Sequence, residues 1–551
     1  MDSKIWVDVE DLFQYAAANP RPSGIQRIEF ELCRALATLP ESRERVRFVR
    51  HAATLQSFTS IPYAQVERLH DRLTSSSHAG APSSRAGART QPARTLSQSP
   101  WRRLAYRLPE GLRKPLVALF KAEREAGRAV LHLGSALAWA GGTRAALLVR
   151  QLRQRRSGEP APGQAGHPAE RGRSRGAVEI APFGPGMPPG TMPSAAGGGA
   201  DTAAFDATTE PGDILLVLGS PWFHPYYAEI VAKAQRTRGL RFSLLIYDII
   251  PLRRPEWCDH NLVLRFREWT GAIFPLVDVL LTISQASARD LESDSRRAGY
   301  SLRSTPRPIP IGTGFSDAVR APAGAGRTGK NPQASARSLP GPGSYALIVS
   351  TIEARKNHML LFRVWRRMVE EMPLDRIPTL VFAGRVGWLV SDLMQQIHNA
   401  DYLDGKIVLV EDPSDDELRQ LYAGCRFTLF PSFYEGWGLP VTESLSFGRP
   451  CIISNATSLP EAGGDLARYF DPENSHEAYD MIRHAIEHPE ETEAWAERVQ
   501  REFRPVSWED SARGVLHALE PGLAAEPALS LASESTPARA ARTKRASARR
   551  A

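Results

Sequence analysis

YALIVSTIEARKNHMLLFRVWRRMVEEMP, residues Tyr345 to Pro373, changes its hydrophobic period once, and that change indicates the fold. Tyr345 to Ser350 is a short apolar run of the kind a strand buried on both faces requires. After a polar turn, Leu361, Val364, Trp365, Met368, Val369 and Met372 recur at helical spacing, with Asn357 as the expected cap and Pro373 as the stop. The pattern then repeats. Thr379 to Gly384 reads as a strand, a helix runs through Leu393, and Lys406 to Val410 is the next strand. Ser414 and Glu417 have capping-box spacing before DDELRQLYAGC, and Arg426 to Phe430 is a further strand. Repeated βα units of this length predict a parallel sheet covered by helices on both faces.

The N-terminal half alternates in the same way. Lys4 to Val9, Asp213 to Gly219, Phe242 to Tyr247 and Val279 to Ser284 read as strands, separated by helix-like segments such as GIQRIEFELCRAL. The expectation is an α/β protein of two doubly wound, Rossmann-like domains in tandem, 1–319 and 345–503. Ligands of such sheets bind beyond the carboxyl ends of the strands. Stretches rich in Ala, Gly, Pro, Ser and Arg interrupt the alternation at Ser75 to Ser99, Ser157 to Thr208 and Arg320 to Ser344, and again after Leu523. They predict an insertion over about 75–210 of the first domain, a linker over 320–344 and a disordered basic tail over 524–551.

The 551 residues, 42% hydrophobic, can bury more than one core, which excludes a small disulfide scaffold. Cys33, Cys258, Cys425 and Cys451 lie far apart with no CxxC pair, so a reducing compartment is expected. MDSKIWVDVEDLF lacks the features of a secretory signal, and the apolar stretch Ala129 to Ala140 is too short to span a bilayer. The net charge of +8 is localised. Arg102 to Arg156 carries +10, Arg320 to Gly343 +4 and Arg539 to Ala551 +6, which leaves about −12 elsewhere. This is an acidic globular body with basic attachments, and no nucleic-acid partner is expected. Within residues 101–156, arginines stand beside Leu, Phe and Trp, as in a basic amphipathic helix on an anionic membrane surface; a solvated insertion is the alternative.

GAGRTGK, Gly324 to Lys330, imitates a phosphate loop, but no strand precedes it and Asn331 replaces the required Ser or Thr. The turn STIEARKN is more informative, because Arg355 and Lys356 stand between a strand end and a helix start, where a planar fork and a point charge could hold a diphosphate. Two solvated surface cations are the alternative. FYEGWGLPVTESLSFGRP, Phe433 to Pro450, follows a strand, passes Gly436 and Gly438, and opens a helix with Pro440 near its start. Such a helix entrance suits an anion. Glu435 and Glu443 flank it and could accept hydrogen bonds from the hydroxyls of a sugar and a ribose. Alternatively, Glu443 is a first-turn acid that complements the helix dipole and Glu435 a solvated loop acid.

These motifs, with FAGR (Phe382 to Arg385) and SNATSLPEAGGD, resemble the family-4 retaining glycosyltransferases of the GT-B fold. The similarity is to the bacterial branch acting on lipopolysaccharide, capsule or exopolysaccharide, many of whose members are mannosyltransferases. PSGIQRIEFEL, IYDIIPLRRPEWC, LLTISQASARDL and PIPIGTGF follow that branch in order, and the resemblance covers roughly two-thirds of the chain. It implies an acceptor-side N-terminal domain and a C-terminal domain that binds the nucleotide sugar, with GDP-mannose the favoured donor. Arg355 and Lys356 would hold the donor diphosphate, Glu435 would contact the transferred sugar, and Glu443 the ribose. Amides of Gly436, Trp437, Gly438 and Leu439 would line sugar and phosphate. Gly24, placed in the loop after the first strand with Ser23 and Arg27 beside it, would let the N-terminal domain approach the diphosphate. Asp248 would contact acceptor or sugar, although a turn-capping role is the alternative; relatives often carry His where this chain has Tyr247. The base would sit near Arg385 and the Glu411 to Pro413 turn.

The resemblance also implies front-face transfer with retention and no cofactor. A metal is not required, in keeping with the lack of any Asp-x-Asp pair. It further implies a last helix, over 504–523, that returns to the first domain. The expected setting is cytoplasmic, at the inner face of the plasma membrane, with a saccharide or lipid-linked acceptor. A synthase making a soluble product, or a non-catalytic scaffold of the same fold, are the other readings.

Overall fold

Thirteen strands among the described residues form two separate sheets. The computed structural model describes residues 3–19, 21–52, 57–75, 205–224, 226–314 and 339–520, all within one compact unit. The insertion over 76–204 with its basic segment 101–156, residues 315–338 of the linker, and the tail lie outside the described residues.

The N-terminal sheet contains β1 (Ile5–Asp8), β2 (Val46–His51), β3 (Phe58–Ile61), β4 (Ile214–Val217), β5 (Arg241–Ile246), β6 (Val279–Thr282) and β7 (Arg307–Pro308). Its order is β3-β2-β1-β4-β5-β6-β7, and every pair is parallel except β2 with β3. The C-terminal sheet contains β8 (Tyr345–Val349), β9 (Thr379–Ala383), β10 (Ile407–Val410), β11 (Thr428–Phe430), β12 (Cys451–Ser454) and β13 (Arg468–Phe470). Its order is β10-β9-β8-β11-β12-β13, parallel throughout. Both are doubly wound, as the alternation predicts, and this pair of domains has the GT-B architecture.

The strand period divides each core into two layers. Ala346 and Ile348 pack on one face of the C-terminal sheet, Tyr345 and Leu347 on the other. Ile5 and Val7 oppose Trp6 in the same way in the N-terminal sheet. The helix His358–Glu371 covers one face with Leu361, Val364, Trp365 and Met368, the spacing read from sequence. Asn357 stands at the cap position as read, but in a left-handed conformation and without a side-chain capping bond; its side-chain amide donates instead to the Pro472 carbonyl at 3.2 Å. The Ser414 and Glu417 capping box is formed as read.

The helix Trp508–Leu519, opened by a Ser507 and Asp510 capping box, inserts Trp508, Val515, Leu516 and Leu519 into the N-terminal core and packs against the helix Gly24–Thr38. Each such side chain contributes about 1.5–3 kcal/mol when fully buried. The chain therefore crosses back to the first domain after completing the second. No helix among the described residues is long and apolar enough to cross a membrane.

Candidate active site

In the C-terminal sheet the strand order reverses between β8 and β11, so the turns after these two strands meet where ligands of such sheets bind. The turn after β8 carries Arg355 and Lys356; the turn after β11 carries Glu435. Lys356 Nζ lies 2.6 Å from Glu435 Oε1, and Arg355 Nη1 lies 2.9 Å from Oε2. The second arm of Arg355 reaches Glu353 at 2.6 Å. All four side chains are at least four-fifths buried, so neither cation is a solvated surface charge. Burial alone would raise the Glu435 carboxyl, but Arg355 and Lys356 outweigh it and hold the group down at about 2.

The loop after β12 fixes this turn from behind. Thr457 Oγ1 accepts from the Glu435 amide at 2.9 Å, while Ser458 Oγ donates to the carbonyls of Glu435 and Trp437 at 3.0 and 2.7 Å. Gly438 has φ +142°, which side-chain-bearing residues rarely adopt, and starts the helix Leu439–Ser446. Because the helix begins at Leu439, Glu443 stands in its second turn, which removes the reading of Glu443 as a first-turn acid. Glu443 is 4% exposed, with its carboxylate turned inward. Tyr422 donates its hydroxyl to Oε2 at 2.8 Å, and Arg27 of the N-terminal domain stands 3.2 Å from Oε1.

Arg27 is thus a cross-domain residue. Its other nitrogen lies 2.9 Å from Asp415, and although burial opposes the charge, Glu443 and Asp415 raise the guanidinium pKa further. Gly24 corrects the sequence reading in one respect. It is the first residue of the helix Gly24–Thr38, separated from β1 by the helix Glu10–Ala18. A Cβ there would make an ordinary 3.8 Å contact with Leu439, so the helix entrance meets the glycine-rich turn directly.

Asp248 lies beyond β5, against Gly436. A Cβ on Gly436 would come within 2.6 Å of the Tyr247 carbonyl and 3.2 Å of Asp248. Asp248 Oδ1 accepts from the Ile250 amide at 3.0 Å, so the turn-capping bond exists. Desolvation pushes its carboxyl up, while nearby Arg355 opposes the rise. Trp437 and Leu439 pack against the N-terminal core, and Trp437 also against the C-terminal one. Arg385 is exposed, with Nη2 3.5 Å from the Tyr15 hydroxyl, and Asp412 in the neighbouring turn pairs with Arg21.

Several partners were not legible as site residues. Tyr422 and Asp415 sit on the helix Asp415–Gly424 with no motif to mark them. Glu461 accepts from the amides of Gln285 and Ala286, both at 2.7 Å, and caps an N-terminal-domain helix from across the cleft. Tyr434 donates to Asp290 across the same boundary.

Residues 332–502 match the family model described as "Glycosyl transferases group 1". The chain is similar to the serotype-specific mannosyltransferase WbdA of Escherichia coli, with 27% identity over 251 residues, 45% of this chain and 30% of that protein. It is also similar to O-antigen chain mannosyltransferase B of Escherichia coli, with 34% identity over 178 residues, 32% of this chain and 45% of that protein. The matches thus span less than half the length of these relatives. Among solved structures, Anabaena Alr3699/HepE in complex with UDP and glucose aligns with a TM-score of 0.40 and 15% identity, covering 56% of this chain and 77% of that one.

Proposed function

Starting from a chain that carries a glycosyl transferases group 1 domain within a GT-B fold, we propose that it moves a hexose, mannose being favoured, from a nucleotide-diphosphate sugar to a saccharide or lipid-linked acceptor in bacterial surface-polysaccharide synthesis. The mannosyltransferase names of WbdA and O-antigen chain mannosyltransferase B support the sugar and the setting. The observation that carries the reading is the Glu435, Arg355 and Lys356 cluster at the crossover of the C-terminal sheet.

Glu435 pairs with both cations, and Glu353 shares Arg355 with it. A bound diphosphate offers both cations another anion, and transfer of Arg355 and Lys356 to it releases the Glu435 carboxylate toward the hydroxyls of the transferred sugar. Negative charge grows on the leaving diphosphate as the glycosidic bond breaks. Two cations and the free amides at the entrance of the helix Leu439–Ser446 stabilise that charge more in the transition state than in the ground state. Glu443 is assigned to the ribose and Asp248 to the acceptor side, while the base lies near Arg385 and the turn around Asp412. Transfer takes place on one face of the sugar: the acceptor hydroxyl attacks from the side the diphosphate leaves, and its proton passes to the departing phosphate oxygen. The anomeric configuration is retained, and no metal is required. The reaction belongs to the cytoplasm, at the inner face of the membrane.

Thermal shift of the purified chain against GDP, UDP, ADP and their hexose conjugates, in the presence of chelator, tests the donor side. One nucleotide family is expected to raise the midpoint, and Glu443→Ala to abolish most of the shift. A folded sample stabilised by none of them would remove the reading.

A further inference from the structure

The end of the helix Ser475–Glu487 and the start of the helix Pro489–Glu502 form a corner on the C-terminal domain, and none of the groups assigned above lies there. The sequence HAIEHPEE brings four metal-ligand side chains to this corner. His484 and His488 are four residues apart, the separation that puts two imidazoles on one helix face, and Glu490 and Glu491 follow across Pro489.

The backbone beneath these side chains is fixed by the core. The His488 amide donates to the His484 carbonyl at 2.9 Å, and the buried Thr492 hydroxyl donates to the Ala485 carbonyl at 2.9 Å. Ala485, Ile486 and Trp495 are part of the buried cluster of the C-terminal sheet. The four ligand-type side chains point the other way, into solvent.

Their nitrogen and oxygen atoms converge. The imidazole rings of His484 and His488 have centroids 4.3 Å apart. His484 Nε2 lies 2.8 Å from Glu491 Oε2, and His488 Nδ1 lies 3.5 Å from Glu490 Oε1. One ligand atom from each of His488, Glu490 and Glu491 lies within 4.8 Å of the others. A tetrahedral ion with bonds of about 2.0–2.1 Å sets neighbouring ligand atoms about 3.3–3.4 Å apart. The two His–Glu separations bracket that value, so rotation of exposed side chains gathers the four atoms without moving the backbone.

Chemistry decides the class of ion. Two carboxylates balance the charge of a dication, and imidazole nitrogen suits Zn²⁺, Cu²⁺ or Ni²⁺, whereas Mg²⁺ and Ca²⁺ take oxygen ligands. The neighbouring cation Arg483 is already engaged, by Glu487 at 3.0 Å and Glu371 at 3.4 Å. Arg468, whose charge acts on Glu491, lies over the Trp495 ring at 4.3 Å. A His484 and Glu491 ion pair alone is the competing use of these groups, but an exposed pair contributes only about 0–1 kcal/mol and so resists an ion weakly.

We propose that His484, His488, Glu490 and Glu491 form a structural site for a first-row transition-metal dication that staples this helix corner. The site asks nothing of the active-site cluster. Its effect is on stability: the helix Pro489–Glu502 runs on to Gln500, which packs against Gly448 just beyond the helix Leu439–Ser446.

The test is isothermal titration of the chelator-stripped full chain with ZnCl₂ and separately with MgCl₂, beside the double variant His484→Gln, His488→Gln. Wild type is expected to bind one equivalent of Zn²⁺ that the double variant lacks, and its thermal midpoint to rise with Zn²⁺ where that of the variant does not. Glu491→Gln should weaken Zn²⁺ at least as much as the roughly 10-fold that loss of a group outside a ligand shell costs. All three substituted side chains are exposed or half-buried, and GDP affinity in chelator, expected to be equal in all chains, checks that each variant is folded. No binding of Zn²⁺, equal binding of Mg²⁺, or an undiminished Zn²⁺ equivalent in the double variant would each overturn the proposal. Should no chain bind GDP, loss of the Zn²⁺ equivalent in a double variant with the wild-type circular dichroism would still support the site, and the donor reading alone would fall.

Discussion

Arg27 Nη1 lies 3.2 Å from Glu443 Oε1 while Nη2 lies 2.9 Å from Asp415, so one guanidinium of the first domain clasps two helices of the second. Glu443 is buried, and beyond Arg27 its carboxylate has the Tyr422 hydroxyl. Removing one partner of a buried ion pair costs about 3–5 kcal/mol, and opening the cleft is the cheapest way to return Glu443 to water. Arg27→Met should therefore enlarge the radius of gyration measured by small-angle scattering in the absence of nucleotide. Unchanged scattering would show that the clasp does not hold the domains together.

Glu435 restrains two cations that the donor diphosphate would use. Glu435→Gln removes the competing charge, so GDP should bind about 10-fold more tightly while transfer slows. Lys356→Ala should weaken GDP binding and lower kcat by about 10²–10³-fold, the scale for loss of one preorganised charge-stabilising group. Titration calorimetry and initial rates separate these effects. A Glu435→Gln chain that binds GDP more weakly than wild type would contradict the competition.

At Gly436 the turn of the C-terminal domain lies directly against the backbone of the N-terminal domain. A Cβ at this position would lie 2.6 Å from the Tyr247 carbonyl, a backbone atom that cannot swing aside. Gly436→Ala should leave the C-terminal domain folded and able to bind nucleotide, yet reduce kcat by about 10²-fold through incomplete closure. Equal kcat values would mean that closure this tight is not used.

Acid stability should depend on His358. Burial and then Lys356 push its imidazole down to about 3, whereas the unfolded chain titrates near 6.5. Between these values the unfolded state binds the extra proton, so the stability is present above pH 6.5 and drains as pH falls, by at most about 1.4 kcal/mol per pH unit. Glu435, at about 2 when folded against 4.5 unfolded, adds a loss of the same sign that begins only near pH 4.5. Urea denaturation at pH 7.0 and 5.5 should show a smaller acid loss in His358→Gln than in wild type. An equal loss would place the titrating group elsewhere.

The fold was legible because strands buried on both faces must be apolar and short, and YALIVS, TLVFAG and DILLVLG can be little else. The candidate site was legible where a cluster is local in sequence, as with Arg355 beside Lys356. What sequence could not reveal is distance across the fold. Nothing near Arg27 announces Glu443, 416 residues away, or the Tyr422 hydroxyl that shares it. The misplaced turn of Glu443 has a local cause: Gly438 is the cap, so the helix starts at Leu439 and Glu443 falls one turn later. Gly24 was misplaced because EDLFQYAAA forms a helix of its own between β1 and the glycine. His51 Nε2, 2.9 Å from Asp8 Oδ2, joins two parallel neighbouring strands, and no spacing in one sequence encodes which strands become neighbours.

The most direct measurement is transfer itself. The full chain is incubated with GDP-mannose and α-mannobiose in chelator, and the new linkage is read by the anomeric coupling in NMR, alongside Glu435→Gln. The expected result is a product with the α configuration of the donor, formed much more slowly by the variant. An inverted linkage, or product formed equally fast without the Glu435 carboxylate, would contradict the mechanism.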